Sequence, residues 1–183
     1  MKHSTILKYV FLFMVVKALT ASWAYAEDQD SYTEPYQAIL AVDKDLQLIP
    51  AYKLGDESLY FFIKDKTNLG ATKVRTGIFG WKSGMFTWGP LDPDRDYENL
   101  QGIQGHGEGL VYGLIRSGDE RVVTVGDQEA SMVKLSLLSP SVVKEHQLEG
   151  LYLWYVESDK NLNAQQVKLL RKDTREIIDS VDL

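Results

Sequence analysis

Two segments carry side chains whose types and spacing suit acid–base or metal chemistry. In QGHGEG, His106 stands two residues before Glu108 among glycines, and the two could act as an acid–base pair or as metal ligands. In DPDRD, Asp92, Asp94 and Asp96 place carboxylates at alternate positions, as the start of a calcium loop does. One hypothesis is therefore a small secreted hydrolase or metal-dependent enzyme that uses these five side chains.

The pattern for either kind of site is incomplete. A calcium loop wants glycine at its sixth position and glutamate at its twelfth, where this chain has Tyr97 and Ile103. His146, the other histidine after residue 26, has no zinc-ligand spacing to His106, and the chain contains no cysteine. A solvated acidic turn and an exposed loop histidine are the simpler interpretations. The sequence therefore predicts no catalytic residue, no metal and no cofactor, and favours a non-catalytic binding protein.

Residues 77–90, GIFGWKSGMFTWGP, hold four aromatic rings among four glycines. A two-residue turn at Ser83-Gly84 would place all four rings on one side of a hairpin, whereas a three-residue turn at residues 82–84 would split the set. Rings at this spacing are typical of a core, but exposed Trp and Tyr side chains on extracellular β modules also bind sugars or protein partners. We expect Trp88, close to Pro90 at the start of a loop, to be partly exposed.

If the protein binds a ligand, we expect the binding face to contain residues from this hairpin and from the loop that follows it. The candidate residues are Trp81, Trp88, Asp94, Tyr97 and His106. The expected partner is a cell-wall glycan or another exported protein. A further alternative is that the chain is an inhibitor or immunity-type partner of an exported enzyme.

The N-terminus has the pattern of a secretory signal peptide. Lys2 and Lys8 form a positively charged region before an apolar run over residues 9–16. Ala24 and Ala26 form an A-x-A-like cleavage site before acidic residues. We predict cleavage after residue 26 and a secreted or envelope-associated product with no stable membrane span. The alternative is a retained anchor, although Lys17 interrupts the apolar run and leaves it short for the ~30 Å hydrocarbon core.

The net charge argues against a nucleic-acid partner. Residues 1–26 contain three lysines and no acidic residue, so the remaining 157 residues hold 17 basic and 26 acidic side chains and a net charge of −9. Nucleic acids and anionic membrane surfaces bind clustered Lys and Arg side chains. We therefore predict that the chain does not bind nucleic acid.

Short apolar segments separated by turn residues predict a mainly β chain of the α+β class. A short helix capped by Thr33 and an antiparallel sheet form an N-terminal module over residues 27–88, and a small β-sandwich-like module covers residues 110–183. Residues 89–109, rich in Pro, Asp and Gly, are predicted to be a loop or linker. GLYLWYVE (residues 150–157) is apolar on both faces, as in a central strand, and residues 161–179 fit either a hairpin or a helix.

The second half of the chain resembles the C-terminal module of small exported proteins from Gram-positive bacteria. The resemblance is carried by LVYGLI, RVVTVG, LWYV and VKLL in that order, and PYQAIL, SLYFFI and GIFGWK in the first half are similar too. Thr174 stands in the last turn, where the family often has glycine. These motifs are structural, so the resemblance implies an exported α+β or β-sandwich module and assigns no activity.

Overall fold

The computed structural model describes residues 2–92, 94–107, 109–162 and 165–183, and it is mainly β, with 44% of the chain in strands. Within these ranges the helices are α1 (Lys2–Gln29), α2 (Pro35–Val42) and α3 (Pro140–Glu145). The strands are β1 (Gln47–Leu54), β2 (Glu57–Lys64), β3 (Asn68–Thr76), β4 (Trp81–Pro90), β5 (Gln104–His106), β6 (Leu110–Arg116), β7 (Arg121–Val125), β8 (Gln128–Glu129), β9 (Ser131–Lys134), β10 (Leu151–Glu157), β11 (Gln166–Arg171) and β12 (Ile177–Asp182). The predicted fold class is confirmed.

The strands within the described ranges form three antiparallel sheets of four strands each. The first sheet has the order β1-β2-β3-β4, the middle sheet β5-β6-β10-β9 and the third sheet β12-β11-β7-β8. Residues 161–179, which fitted a helix or a hairpin, contribute β11 and the start of β12, so the hairpin prediction is correct. Helix propensity in this segment is overridden by pairing of β11 with both β7 and β12.

The two central strands of the middle sheet, β6 and β10, are buried on both faces, as the apolar sequence of β10 predicted. Because side chains alternate along a strand, Leu153 packs into the same cluster as Phe61 of the first sheet, while Trp154 packs into the same cluster as Val123 of the third sheet. The same alternation along β6 sends Tyr112 to the first sheet and Val111 to the third. The two faces of the middle sheet thus supply both large core clusters of the protein.

The outer face of the first sheet is covered in part by α2. Ala38 and Ile39 of the helix pack against Phe62, Val74 and Trp81 of the sheet. The helix begins after Glu34 rather than after Thr33, the cap expected from the sequence. The Glu34 N–H donates to the Gln37 side-chain oxygen at 3.2 Å, which satisfies a donor at the helix start.

Residues 89–109, expected to be a linker without regular structure, contribute to both cores and include strand β5. Leu91 and Tyr97 are buried in the cluster between the first and middle sheets, and Leu100 is buried in the cluster between the middle and third sheets. The first cluster contains side chains from both predicted modules. The division of the chain into two modules, with borders at residues 89 and 109, stays a prediction.

The aromatic hairpin is formed differently from either turn predicted for residues 77–90. Trp81–Pro90 is one continuous strand, and the turn lies earlier, at residues 77–80, where the Gly77 N–H donates to the Gly80 oxygen at 2.6 Å. Trp81 consequently pairs with Thr76 rather than with Phe86 or Met85. The Ser83-Gly84 pair, read as a turn, falls at a register irregularity inside β4. A bulge and a tight turn share glycine and serine, so the sequence did not separate them.

The N-terminal helix α1 is continuous and solvent-exposed along its described side chains. Within the described ranges it holds one segment, Lys8–Gln29, that is long and apolar enough to cross a membrane, and a signal sequence near an N-terminus passes the same criterion. Ala24 and Ala26, the expected cleavage residues, lie inside the helix. The apolar helix is thus compatible with a signal sequence.

The C-terminal end of α1 and the residues just after it are joined to the β3–β4 hairpin. Tyr32 and Trp81 exchange two backbone hydrogen bonds of 3.0 and 2.7 Å, and Glu27 pairs with Lys82 at 2.6 Å. Gly80 has φ +149°, and a Cβ on it would lie 2.5 Å from the Tyr32 oxygen. Glycine is therefore required at residue 80 for the chain to pass this close.

A substitution in β3 tests the packing on the outer face of the first sheet. A Cβ at residue 70 would lie 2.3 Å from the Phe62 ring and 2.5 Å from the Thr87 carbonyl oxygen. We expect Gly70→Ala to destabilise the fold by ~1–3 kcal/mol, as overpacking does, because the carbonyl cannot yield. Urea unfolding of the full chain in mild detergent, followed by tryptophan fluorescence, measures this.

Gly77→Ala is the matched control, since a Cβ there meets no atom closer than 3.4 Å and no positive φ is involved. Equal stability of the two alanine variants would contradict the close contact at Gly70.

Candidate functional site

The five residues expected to form a binding face lie in different environments. Trp81 is buried under α2, and Tyr97 is buried between the first and middle sheets. Trp88 and Asp94 are exposed, and His106 is half-buried at the edge of the middle sheet. Of the five, Trp88 alone is a large aromatic side chain available to a ligand.

The aspartate turn is occupied by local hydrogen bonds. Asp92 Oδ1 accepts from the Asp94 N–H at 3.1 Å, and Asp96 Oδ1 accepts from the Glu98 N–H at 3.1 Å. The Tyr97 hydroxyl donates to the Asp92 carbonyl at 2.9 Å. The backbone of Tyr97 has φ +56°, in the left-handed region. The carboxylates thus stabilise a turn that inserts the Tyr97 ring into the core.

Metal ligation has no support among the residues described. Within the described ranges, no three His, Asp or Glu side chains are grouped so that they could hold a metal ion. Pro93 and Glu108, which belong to the two segments singled out from the sequence, lie outside these ranges.

An open aromatic surface, which we call the Trp88 surface, comprises Trp88, Phe86, Lys64 and Asp43. Trp88 is 51% exposed on β4, beyond the part of the first sheet that α2 covers. Phe86, two residues earlier on the same face, packs against Phe62 with ring centroids 5.5 Å apart. The exposed indole thus lies on the same face as a pair of phenylalanine rings that belong to the core.

An ion pair lies beside the Trp88 ring. Lys64 Nζ lies 5.1 Å from the ring centroid, close enough for a cation–π interaction, and pairs with Asp43 Oδ2 at 2.8 Å. Asp43 also accepts from the Asp45 N–H. The hydrogen bond with Lys64 lowers the pKa of the Asp43 carboxyl and raises the pKa of the Lys64 ammonium, so both are charged at neutral pH.

His106 belongs to a polar seam where the edges of the first and middle sheets meet. Its Nδ1 lies 2.7 Å from the Thr87 hydroxyl, and the nearby Tyr112 hydroxyl donates to Gln104 Oε1 at 2.9 Å. Burial lowers the pKa of His106, and the positive charge of Lys73 lowers it further. Burial raises the pKa of Tyr112 to about 12. Both side chains are therefore neutral at pH 7.

A second polar cluster, which we call the rim cluster, joins the first and middle sheets through Tyr52, Lys73 and Glu157. The Tyr52 hydroxyl donates to Glu157 Oε2 at 2.7 Å, and Lys73 pairs with Glu157 Oε1. Burial, followed by the hydrogen bond to Glu157, raises the pKa of Tyr52. Both carboxylate oxygens of Glu157 are engaged, so this anion holds the two sheets together.

The seam has the geometry of a nucleophile and a general base. A hydroxyl at 2.7 Å from a neutral imidazole nitrogen is within proton-transfer distance. Asp92 and Asp96, however, serve the turn, and the part of the chain that the structure describes brings no carboxylate into hydrogen-bond contact with His106. The Trp88 surface differs from the seam, because it places an exposed ring next to the Lys64–Asp43 ion pair.

Several of these residues gave no signal in the sequence. Lys64 ends the strand segment SLYFFIK, but Asp43 is 21 positions away, and nothing in its spacing indicates the pair. Tyr52, Lys73 and Glu157 lie on three strands, and only the packing of the sheets joins them. Lysine and glutamate at inward-facing strand positions are the one local sign that such a pair exists.

Protonation of His106 should destabilise the fold. The folded-state pKa lies below the ordinary 6.5, so between pH 7 and pH 5 the unfolded chain binds more protons than the folded one. Stability should therefore fall as the pH drops through this window. We expect His106→Gln to show a smaller loss of unfolding free energy between pH 7 and pH 5 than the wild type, measured by urea unfolding.

His146→Gln is the control, since it removes a histidine that has no contact with Thr87. An identical pH dependence in the wild type and in His106→Gln would rule out the buried neutral state.

Two substitutions at the rim cluster should shift the His106 pKa in opposite directions. Lys73 lowers this pKa and Glu157 raises it, both by their charges. Lys73→Met should therefore raise the His106 pKa, and Glu157→Gln should lower it, as measured by NMR titration of the imidazole. Shifts of the same sign in both variants would show that a structural rearrangement, rather than charge, is responsible.

A scan against protein-family models found no match, and searches of curated proteins and of solved structures also found none. The functional assignment therefore depends on the side chains and geometry of this chain alone.

Proposed function

We propose that the protein is an exported, non-catalytic binding protein that acts at the cell envelope, and that the Trp88 surface binds a neutral glycan. The observation that carries the proposal is the half-exposed Trp88 ring, which has Lys64 Nζ 5.1 Å from its centroid and lies two residues after Phe86 on the same face of the sheet. Aromatic faces stack on sugar rings, and the adjacent ammonium and carboxylate offer a donor and acceptors to sugar hydroxyls.

The contacts of Lys64 support a binding role for the exposed Trp88 ring. Lys64 is held from one side by Asp43, which itself terminates α2. The cation–π contact with Lys64 restricts the Trp88 ring before binding, which reduces the side-chain entropy that Trp88 loses when a ligand stacks on it. An exposed tryptophan with no such support would cost more to immobilise.

The charge of the chain supports a neutral ligand. The net charge of −9 after residue 26 disfavours anionic polymers, and the lysine of the Trp88 surface is already paired with a carboxylate. Among envelope polymers, amino-sugar chains without phosphate fit these constraints.

Export is supported by the sequence and position of α1. The helix is apolar, exposed and N-terminal, with Lys2 and Lys8 before its apolar segment and acidic residues after it. This charge asymmetry favours an N-terminus inside the cell and a folded domain outside it.

The alternative of a small secreted hydrolase or metal-dependent enzyme, which the sequence based on His106 with Glu108 and on the Asp92–Asp96 turn, stays a prediction. The alternative of an inhibitor or immunity-type partner rests on the same Trp88 surface, with a protein in place of the glycan.

Substitution of Trp88 tests the proposal. We expect the wild type to bind a soluble chito-oligosaccharide and isolated cell-wall glycan, and Trp88→Ala to bind at least about tenfold more weakly, which corresponds to ~1.4 kcal/mol of lost contact. Isothermal titration calorimetry and glycan pull-down measure this. Trp88→Phe should retain part of the affinity because it keeps a ring.

Tyr36→Ala, which removes a 44% exposed ring on α2, is the matched control and should bind as the wild type does. Equal binding by Trp88→Ala and the wild type would overturn the proposal. Loss of a stoichiometric protein partner in Trp88→Ala, without any glycan binding by the wild type, would identify the surface as a protein interface instead.

A further inference from the structure

Three exposed apolar side chains lie together at one end of the first sheet. Ile78 and Phe79, in the β3–β4 turn, are 74% and 44% exposed, and Leu54, at the β1–β2 turn, is 76% exposed. The two turns are adjacent, because the Thr76 N–H donates to the Asp56 carbonyl at 2.8 Å. We call Leu54, Ile78 and Phe79 the apolar tip.

The apolar tip lies beside the C-terminal end of α1. Two contacts join this part of the chain to the base of the β3–β4 turn: the ion pair of Glu27, in α1, with Lys82, and the backbone bridge of Tyr32, just after α1, with Trp81. A Cβ at Gly77 would lie 3.6 Å from Glu27 Oε1. The C-terminal end of α1 and the apolar tip therefore lie at the same end of the first sheet.

Helix α1 contains a segment, Lys8–Gln29, that is long and apolar enough on average to cross a bilayer whose outer surface is at that end of the sheet. The 18 residues between Lys8 and Glu27 span ~27 Å at 1.5 Å per residue, against a hydrocarbon core of ~30 Å, so the bilayer must thin slightly around the helix. Lys17, the one charged residue between them, is costly in the hydrocarbon core and must extend toward an interface. Trp23 and Tyr25, both exposed, lie near the C-terminal end, where interfacial aromatic residues occur. Acidic residues from Glu27 onward then enter water.

We propose that α1 is retained as a membrane anchor and that the apolar tip rests on the outer surface of the bilayer. The lipid interface buries the Phe79 ring and the methyl groups of Leu54 and Ile78, which gives the domain a second membrane contact beside the helix. This inference rests on the export of the folded domain that was proposed above, and it is independent of glycan binding.

The absence of cysteine makes a direct test possible. Single-cysteine variants Phe79→Cys and Leu54→Cys, labelled with an environment-sensitive fluorophore, are reconstituted as full chains into phosphatidylcholine–phosphatidylglycerol vesicles. We expect blue-shifted emission at both positions and quenching by nitroxide-labelled lipids. Tryptophan emission of each variant confirms that it is folded.

Leu137→Cys is the matched control, since Leu137 is 82% exposed and precedes α3. Glu145 of that helix pairs with Lys66, in the β2–β3 turn at the opposite end of the first sheet. The label at residue 137 should remain water-like and unquenched. Labels at residues 54 and 79 that match residue 137 would overturn the proposal. A blue shift without lipid quenching, dependent on protein density, would also overturn it and indicate a second copy of the chain.

Retention of α1 is tested separately by mass spectrometry of the chain recovered from the membrane and the medium of an expressing bacterium. An intact N-terminus in the membrane fraction supports the proposal, whereas a chain that begins at Glu27 in the medium overturns it. Neither outcome alters the expected loss of glycan binding in Trp88→Ala, so failure of this inference and failure of the proposed function are distinguishable.

Discussion

Burial of β6 and β10, the central strands of the middle sheet, on both faces is the constraint on which the rest of the structure depends. Strands β6 and β10 carry apolar side chains at successive positions, and period-two alternation sends half of them to each side. Each side must therefore be covered by another apolar face, and the first and third sheets supply these. A chain without disulfides obtains its stability from this double burial.

The polar clusters that join two sheets lie at the edges of the layers. The His106 seam and the rim cluster both lie where the first and middle sheets meet, and in each of them buried polar atoms are paired across the two sheets. Pairing is required there, since an unpaired charge in such a place would cost several kcal/mol. The Trp88 surface differs, because it lies on the outer face of the first sheet and faces water.

The sequence predicted those features that depend on local alternation and turn chemistry. The mainly β class, the central position of β10, the last hairpin and the exposure of Trp88 follow from such patterns. The β3–β4 turn was misplaced because glycine at residue 84 serves a strand irregularity rather than a turn. The burial of Tyr97 was missed because a DPDRD turn reads as solvated whether or not the next ring enters the core. Clusters such as Tyr52, Lys73 and Glu157 are created by packing between sheets, which one sequence does not encode in its spacing.

The antiparallel pairing of β3 and β4 separates Trp88 from the β3–β4 turn. Trp88 pairs with Gly70 near the β2–β3 turn, while the β3–β4 turn lies at the other end of the same two strands. Trp88 is seven positions after Trp81, which corresponds to roughly 20 Å along an extended strand. In the membrane-anchored arrangement that we propose, β4 would be the spacer between the helix end and the indole. Its length would then limit how far from the lipid surface Trp88 can meet a ligand.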